Sequence, residues 1–228
     1  MEDVHWWYLS THRFILNKLN SSKHCRRILD AGCGTGGLLK KIGESNRVTG
    51  FDASADAVKK AFERPGLSGM IALADTGEIP FQDCTFDAVT CIDVIYHAGV
   101  DEQKAVHEMH RVLKPGGLFI LQVPAFELLR GGHDEAVHTR KRYRKSEIYG
   151  LFNEHGFKTI AVFYRFFWLF FPAVFIRHFT RGSGKSDLKP LHPKINNIFF
   201  QISSFFDRDP FIRFPFGTSL FAIGEKIS

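Results

Sequence analysis

Four glycines fall within six residues, Gly32, Gly34, Gly36 and Gly37, directly after the apolar run Ile28-Leu29. Lacking a Cβ, such residues let the backbone turn through positive φ and let a ligand approach bare main chain, while N–H groups opening the next helix favour polar or anionic groups. The stretch Arg27–Gly37, with Cys33 at the turn, reads as strand, tight turn and helix. Asp30 stands two places before Gly32, at the carboxyl end of that strand. A carboxylate there repels a pyrophosphate and attracts a cofactor bearing an ammonium and a sulfonium. The spacing Gly32-x-Gly34-x-x-Gly37 also satisfies the dinucleotide fingerprint, so the glycines alone leave both ligands open. Asp52, followed by Ala53, lies 20 residues beyond Gly32 and ends a second apolar run. That separation suits a carboxylate accepting hydrogen bonds from ribose hydroxyls, a role compatible with capping the next helix. Asp75 closes a third run, placed either for the amino group of an adenine or for capping a turn.

A second set of residues suits acceptor chemistry. Phe86–Ile92 is apolar throughout, as expected of a central strand covered on both faces, and Asp93-Val94-Ile95-Tyr96-His97 follows it. Ligands of open parallel sheets sit beyond the strands' carboxyl ends, so His97 is the natural proton acceptor, with a hydrogen-bonded structural histidine as the alternative. His133, Asp134, His138, Arg140 and Tyr143 follow the next strand and belong to the same rim, as a source of base chemistry or as a grip on a phosphate or carboxylate. A solvated loop is the plainer reading, and the His and Asp spacing matches no helical metal-ligand pattern, so no metal is expected. His5-Trp6-Trp7-Tyr8 precedes an expected amphipathic helix, Ser10–Leu19. These aromatics either pack as a satellite core or cover a ligand in the glycine loop, with Arg13 reaching its carboxylate.

The elements that position these groups alternate in type. Expected helices at 38–42, 54–62, 101–113 and 146–155 separate expected strands ending at Asp52, Ala74, Ile92, Pro124 and Tyr164. This alternation specifies an α/β, doubly wound, mostly parallel sheet with helices on both faces.

Taken together, Ile28–Gly36, Asp52, Asp75, Phe86-Asp87-Ala88-Val89 and Arg111–Gly117 resemble the class I S-adenosylmethionine-dependent methyltransferases over roughly residues 1–164. The resemblance implies a Rossmann-like, seven-stranded sheet whose last strand, Thr218–Lys226, runs antiparallel beside the fifth. It implies S-adenosyl-L-methionine as cofactor, with Gly32 and Gly34 flanking the methionine moiety, Asp52 holding the ribose, Asp75 near the adenine amine and Ile92 lining the pocket. Many relatives carry Glu before the histidine, where this chain has Tyr96, so a carboxylate base at that place does not carry over. Tyr96, Arg140 and Tyr143 are then candidates for binding the acceptor. His5-Trp6-Trp7 and His138–Tyr143 are further similar to a bacterial and archaeal subgroup that accompanies cell-surface glycan or lipid pathways, implying a small-molecule, lipid-linked or glycan-linked acceptor.

The expected organisation is a core at 1–164, an insertion at 165–217 and a final core strand at 218–228. Residues 161–228 hold 15 of the 24 phenylalanines, which argues against disorder in the insertion. Its apolar run, Phe166–Ile176, is too short to span a bilayer, and Pro172 interrupts it. Arg165, Arg177, His178, Arg181 and Lys185 flank it, which suits peripheral membrane contact; a lid over the site or a dimer interface competes with that reading. The net charge of +6 is concentrated late: residues 1–138 carry 15 basic and 18 acidic side chains, and residues 139–228 carry 15 and 6. Nucleic acid fits less well, because the aromatics are clustered rather than interleaved with the cations. Four cysteines without C-x-x-C pairs read as free thiols, and Met1–His5 lacks secretory features, so a cytoplasmic location, or the inner face of the membrane, is expected. Two rival functions remain: a nicotinamide-dependent dehydrogenase, and a membrane-associated protein that binds cofactor without turnover.

Overall fold

The computed structural model describes residues 1–22, 25–67, 70–179, 191–207 and 214–227. Among these residues seven strands, β1 (Arg27–Ala31), β2 (Arg47–Asp52), β3 (Ile71–Leu73), β4 (Phe86–Ile92), β5 (Leu113–Pro124), β6 (Phe157–Arg165) and β7 (Ser219–Lys226), form one sheet in the order β3-β2-β1-β4-β5-β7-β6. β7 runs antiparallel to both β5 and β6, and the pairs among β1 to β5 are parallel. The strand order reverses between β1 and β4, so a crevice opens beyond their carboxyl ends. Register brings Asp30 of β1 beside Thr90 of β4, and the Thr90 hydroxyl donates to Asp30 Oδ1 at 2.7 Å.

Eight helices occur among the described residues: α1 (Trp6–Ser21), α2 (Gly37–Gly43), α3 (Ala55–Phe62), α4 (Glu102–Val112), α5 (Gly132–Ala136), α6 (Lys145–Glu154), α7 (Phe170–Phe179) and α8 (Pro193–Phe206). Caps set several starts: the Ser54 side chain accepts from Ala57 N, and Asp101 accepts from Gln103 N and Lys104 N. One core layer joins β4 and β5 to α4 and α6 through Val89, Phe119, Met109 and Phe152; the other joins β1 to α1 and α2 through Ile28, Ile15 and Leu39. Burying these side chains on both faces explains why the central strands read as continuous apolar runs.

Two boundaries differ from the sequence reading by more than two residues. α1 begins at Trp6, because His5 serves as N-cap with Nδ1 accepting from Trp7 N, so the aromatics form the helix's first turn rather than a lead-in. β5 starts at Leu113, directly after α4. Gly116, at φ +74°, absorbs the turn within it, and the pairing with β4 shifts between Phe86 and Ala88.

Between β6 and β7 the Phe-rich run folds mainly as α7, which exposes Phe171 and Phe175. α8 packs on α1: Asn196 Oδ1 accepts from Trp6 N at 2.7 Å and its Nδ2 donates to Val4 O at 2.8 Å. Arg165 is buried and pairs with Asp207 at 2.6 Å, while also donating to Ser10 Oγ, so β6, α8 and α1 are tied at one point. Among the described residues no helix is long and apolar enough to cross a membrane. Arg181, Lys185 and the side chain of His178 lie outside the described residues.

Candidate active site

A cavity of about 710 Å³ opens beyond the carboxyl ends of β1, β4 and β5, roofed by α1 and α7. Its floor is the glycine loop. Gly32, Gly34 and Gly36 take φ of +74°, +56° and +81°, and Gly32 N and Cys33 N both donate to Phe51 O at 2.9 Å. A Cβ at Gly32 would lie 2.3 Å from Val94 Cγ2, so this position needs glycine for space as well as for conformation. Asp30, Gly32, Cys33, Gly34 and Ile92 all line the cavity, as their positions in the sequence suggest.

Asp30 is buried, and burial pushes its carboxyl up to about 7, with Glu2 and Asp52 adding to the effect and the Thr90 hydroxyl opposing it. Burial likewise pushes up the Cys33 thiol, so it stays protonated. Glu2 reaches over the loop from the N-terminus. Its Oε2 accepts from Gly37 N at 2.8 Å and lies 3.3 Å from Arg64 Nη2.

Asp52 sits beside the loop rather than in the cavity wall. Its Oδ2 accepts from Gly34 N and its Oδ1 from Ser54 N, both at 2.8 Å, so it fastens the turn to the start of α3. Ala53 next to it is exposed and also off the wall. Asp75 is exposed, and its Oδ1 accepts from Gly77 N at 2.7 Å, the turn-capping arrangement.

Five side chains are not placed as the sequence suggests. Arg13 does not reach the cavity: it is exposed with its guanidinium 5.7 Å from the Phe200 ring centre, because a helical step of one residue turns it away from the face that His12 and Trp6 present. His97 lines the cavity, but its Nδ1 lies 2.8 Å from Val137 O and its Nε2 3.1 Å from Asp93 O. A lone pair on either nitrogen would face a carbonyl oxygen instead of a substrate, so His97 pins two loops together. His138 is exposed at φ +53°, directs its carbonyl to Ala98 N, and lies off the wall. Arg140 is exposed beside Glu102, and Tyr143 is fully buried with its hydroxyl donating to Glu102, so neither meets the cavity. His133 and Tyr96 do line it, with the Tyr96 ring 4.4 Å from that of His97.

Three residues that sequence reasoning passed over complete the site. Asp93 takes φ of +58° and accepts from Gln122 Nε2 at 2.9 Å. Burial pushes its carboxyl up to about 7 against the pull of Arg142 and Arg165. Its place directly after a buried strand was the available signal; the left-handed backbone that swings it into the cavity has no sequence signature. Arg142, buried, holds Asp134 through two hydrogen bonds, Nε to Oδ1 at 2.8 Å and Nη2 to Oδ2 at 3.1 Å. It lines the cavity between the two residues, Arg140 and Tyr143, first credited with that place. His12 lines the roof; its Nδ1 is buried with no hydrogen-bond partner among the described residues, and burial pulls the ring down to about 4.

Comparison with known proteins adds four findings. A family model described as a methyltransferase domain matches residues 29–121. The chain is 37% identical over 121 residues to the sterol 4-C-methyltransferase strm-1 of Caenorhabditis elegans, covering 49% of this chain and 35% of that protein. It is 29% identical over 174 residues to a probable S-adenosylmethionine-dependent methyltransferase of Mycolicibacterium smegmatis, covering 72% and 65%. The chain thus spans less than two thirds of either relative. Among solved structures, a geranyl diphosphate methyltransferase in complex with GPP and sinefungin superposes with a TM-score of 0.66 at 15% identity, covering 96% of this chain and 79% of that one, which is a likeness of fold.

Proposed function

We propose that the chain is a class I S-adenosylmethionine-dependent methyltransferase that transfers the cofactor's methyl group to a small-molecule acceptor, or to one linked to a lipid or glycan. The observation that carries this reading is the shared cavity: the glycine loop with Asp30 and the half-buried carboxylate of Asp93 open into one space closed over by α1 and α7. The residues present fit the cofactor. Gly34 leaves the main chain bare, Asp30 and Glu2 supply negative charge for a cationic ligand, and the unpartnered Nδ1 of His12 is a polar atom that a bound group would satisfy. Gly32, Cys33 and Gly34 would cradle the methionine end, Ile92 would pack on it, and Asp52 with Ala53 would meet the ribose. Asp75 would meet the adenine amine from the end of β3. Asp52 can serve two partners because each carboxylate oxygen keeps a second lone pair beside its backbone hydrogen bond.

When bound, the cofactor supplies a methyl group already activated on a sulfonium. What the chain must add is alignment and exclusion of water. Trp6, Trp7 and Tyr8 of α1 close one side, and Leu169, Pro172 and Ala173 the other. Asp93, raised to about 7, is ionised in a useful fraction at neutral pH and would take the proton from an oxygen or nitrogen nucleophile. His133 also lines the cavity, as Tyr96 does, and would assist from the acceptor side.

The relatives named above are methyltransferases, which does not favour a nicotinamide dehydrogenase or a non-catalytic binder. Residues 165–217 act in this reading as a cap on a core built from 1–164 and 218–228. Exposed Phe171, Phe175, Ile198 and Phe205 on the cap support peripheral contact with the inner face of a membrane, in a cytoplasmic protein. Titration calorimetry tests the donor assignment. S-adenosylmethionine should bind the folded chain one to one and NAD should not; binding of NAD alone would overturn it. Co-sedimentation with anionic vesicles tests the membrane contact, and equal recovery in the supernatant with and without lipid would remove it.

A further inference from the structure

The cavity changes character from one end to the other. Around the glycine loop its charged lining is acidic, with Glu2 and Asp30 side by side and Asp52 close enough to act on both Asp30 and Cys33. Beyond Asp93, which feels Arg142 and Arg165, the lining becomes basic. There the guanidinium of Arg142 binds Asp134 through Nε and Nη2 and Ala125 O through Nη1 at 3.1 Å. Five N–H groups are available to a guanidinium and these contacts engage three, so two remain by count for a group inside the cavity. A second guanidinium comes down from α7: Arg177 Nη1 lies 4.0 Å from Asp134 Oδ2 and donates to Leu129 O. Both arginines line the cavity, and the Arg142 side chain is 4% exposed. A planar fork of donors withdrawn from bulk water is the geometry that recognises carboxylate or phosphate oxygens.

Alongside this basic end runs an apolar wall made by Leu169, Pro172, Ala173 and Ile176. Ile176 lines the cavity yet is 56% exposed, so the wall continues to the outer surface of α7, which also carries the largely exposed Phe171 and Phe175. A ligand held at Arg142 therefore has an apolar path outward.

We propose that the methyl acceptor is an anionic amphiphile, a carboxylate or phosphate carried on an apolar chain, whose anionic group is held by Arg142 and Arg177 while its chain follows α7 toward the surface. This rests on the methyltransferase reading and narrows its substrate class. Charge then sorts the two ligands of one cavity, the cationic donor to Asp30 and Glu2 and the anionic acceptor to the arginines, with Asp93 between them.

Calorimetry on the full chain saturated with S-adenosylhomocysteine, using octyl phosphate, octanoate, octanol, octyltrimethylammonium and inorganic phosphate below any micellar concentration, tests the assignment. Octyl phosphate or octanoate should bind one per chain at least tenfold tighter than octanol or octyltrimethylammonium, and inorganic phosphate at least tenfold weaker than octyl phosphate. Because Arg142→Gln strands the buried Asp134 and endangers folding, Arg177→Gln is the variant of choice. It should weaken the anionic probe at least fivefold and leave octanol and S-adenosylhomocysteine binding unchanged. Equal affinity for charged and neutral probes, inorganic phosphate binding as well as octyl phosphate, or an unaltered Arg177→Gln variant would each overturn the proposal. S-adenosylhomocysteine binding, measured first on the same sample, separates the two levels: its absence sinks the methyltransferase reading, and its presence without anion preference sinks the acceptor class alone.

Discussion

Asp93 and His97 are four residues apart, and the backbone gives them opposite fates. The positive φ at Asp93 turns its carboxylate into the cavity, whereas both nitrogens of His97 face carbonyl oxygens. Histidine's ordinary titration near neutrality makes it the obvious base in a sequence, yet here a carboxylate raised to about 7 has that property and the open geometry. The raised value has a thermodynamic consequence. The unfolded chain releases the Asp93 proton near 3.8 and the folded chain near 7, so Asp93 costs stability as pH rises from 4 to 7 and nothing below that range. Asp93→Asn, which tolerates the left-handed backbone, should match the wild type in denaturant midpoint near pH 4 and exceed it at pH 8. A variant less stable than wild type at pH 8 would contradict the raised carboxylate. At Gly32, substitution by Ala meets positive φ and a Val94 methyl at 2.3 Å at once, and should cost about 2 kcal/mol in urea unfolding.

At the scale of elements, the strand-and-helix alternation was legible in the sequence because the central strands β1, β4 and β5 are apolar and largely buried on both faces, and several helices end at a glycine or proline. Ile28–Gly37 is the clearest case, where local apolar run, turn chemistry and helix start agree. The antiparallel β7 followed from the resemblance, and Ser219–Lys226 takes that place. What was not legible is direction. Arg13 and His12 are neighbours on α1, as are Arg142 and Tyr143 after α5, and only one of each pair faces the cavity. A one-residue step reverses the answer, and composition cannot register it. The cap's attachment was equally hidden, since the Arg165–Asp207 pair joins residues 42 apart and depends on where α8 docks. Asp207→Ala leaves Arg165 buried without its carboxylate and should destabilise the fold by about 3 kcal/mol, read from chemical unfolding at neutral pH. An unchanged midpoint would mean that α8 is not held to the sheet through this pair.

The whole molecule is a mostly parallel sheet, with β7 antiparallel, made specific by what lies over its switch point. α1 contributes Trp6, Trp7, Tyr8 and His12 to the roof, and α7 contributes Pro172, Ala173 and Ile176. The glycine loop therefore does not face open solvent but the undersides of two helices from opposite ends of the chain. A lid over the site and an exposed apolar surface for a membrane, competing readings of the insertion in the sequence, are both compatible with one cap, because its inner and outer faces differ. The central claim, that the donor binds between the glycine loop and this roof, is tested most directly by hydrogen exchange with and without S-adenosylmethionine. The account predicts slowed exchange in residues 30–37, 92–97 and the first turns of α1 together. Protection confined to the glycine loop, or absent from all three, would contradict it.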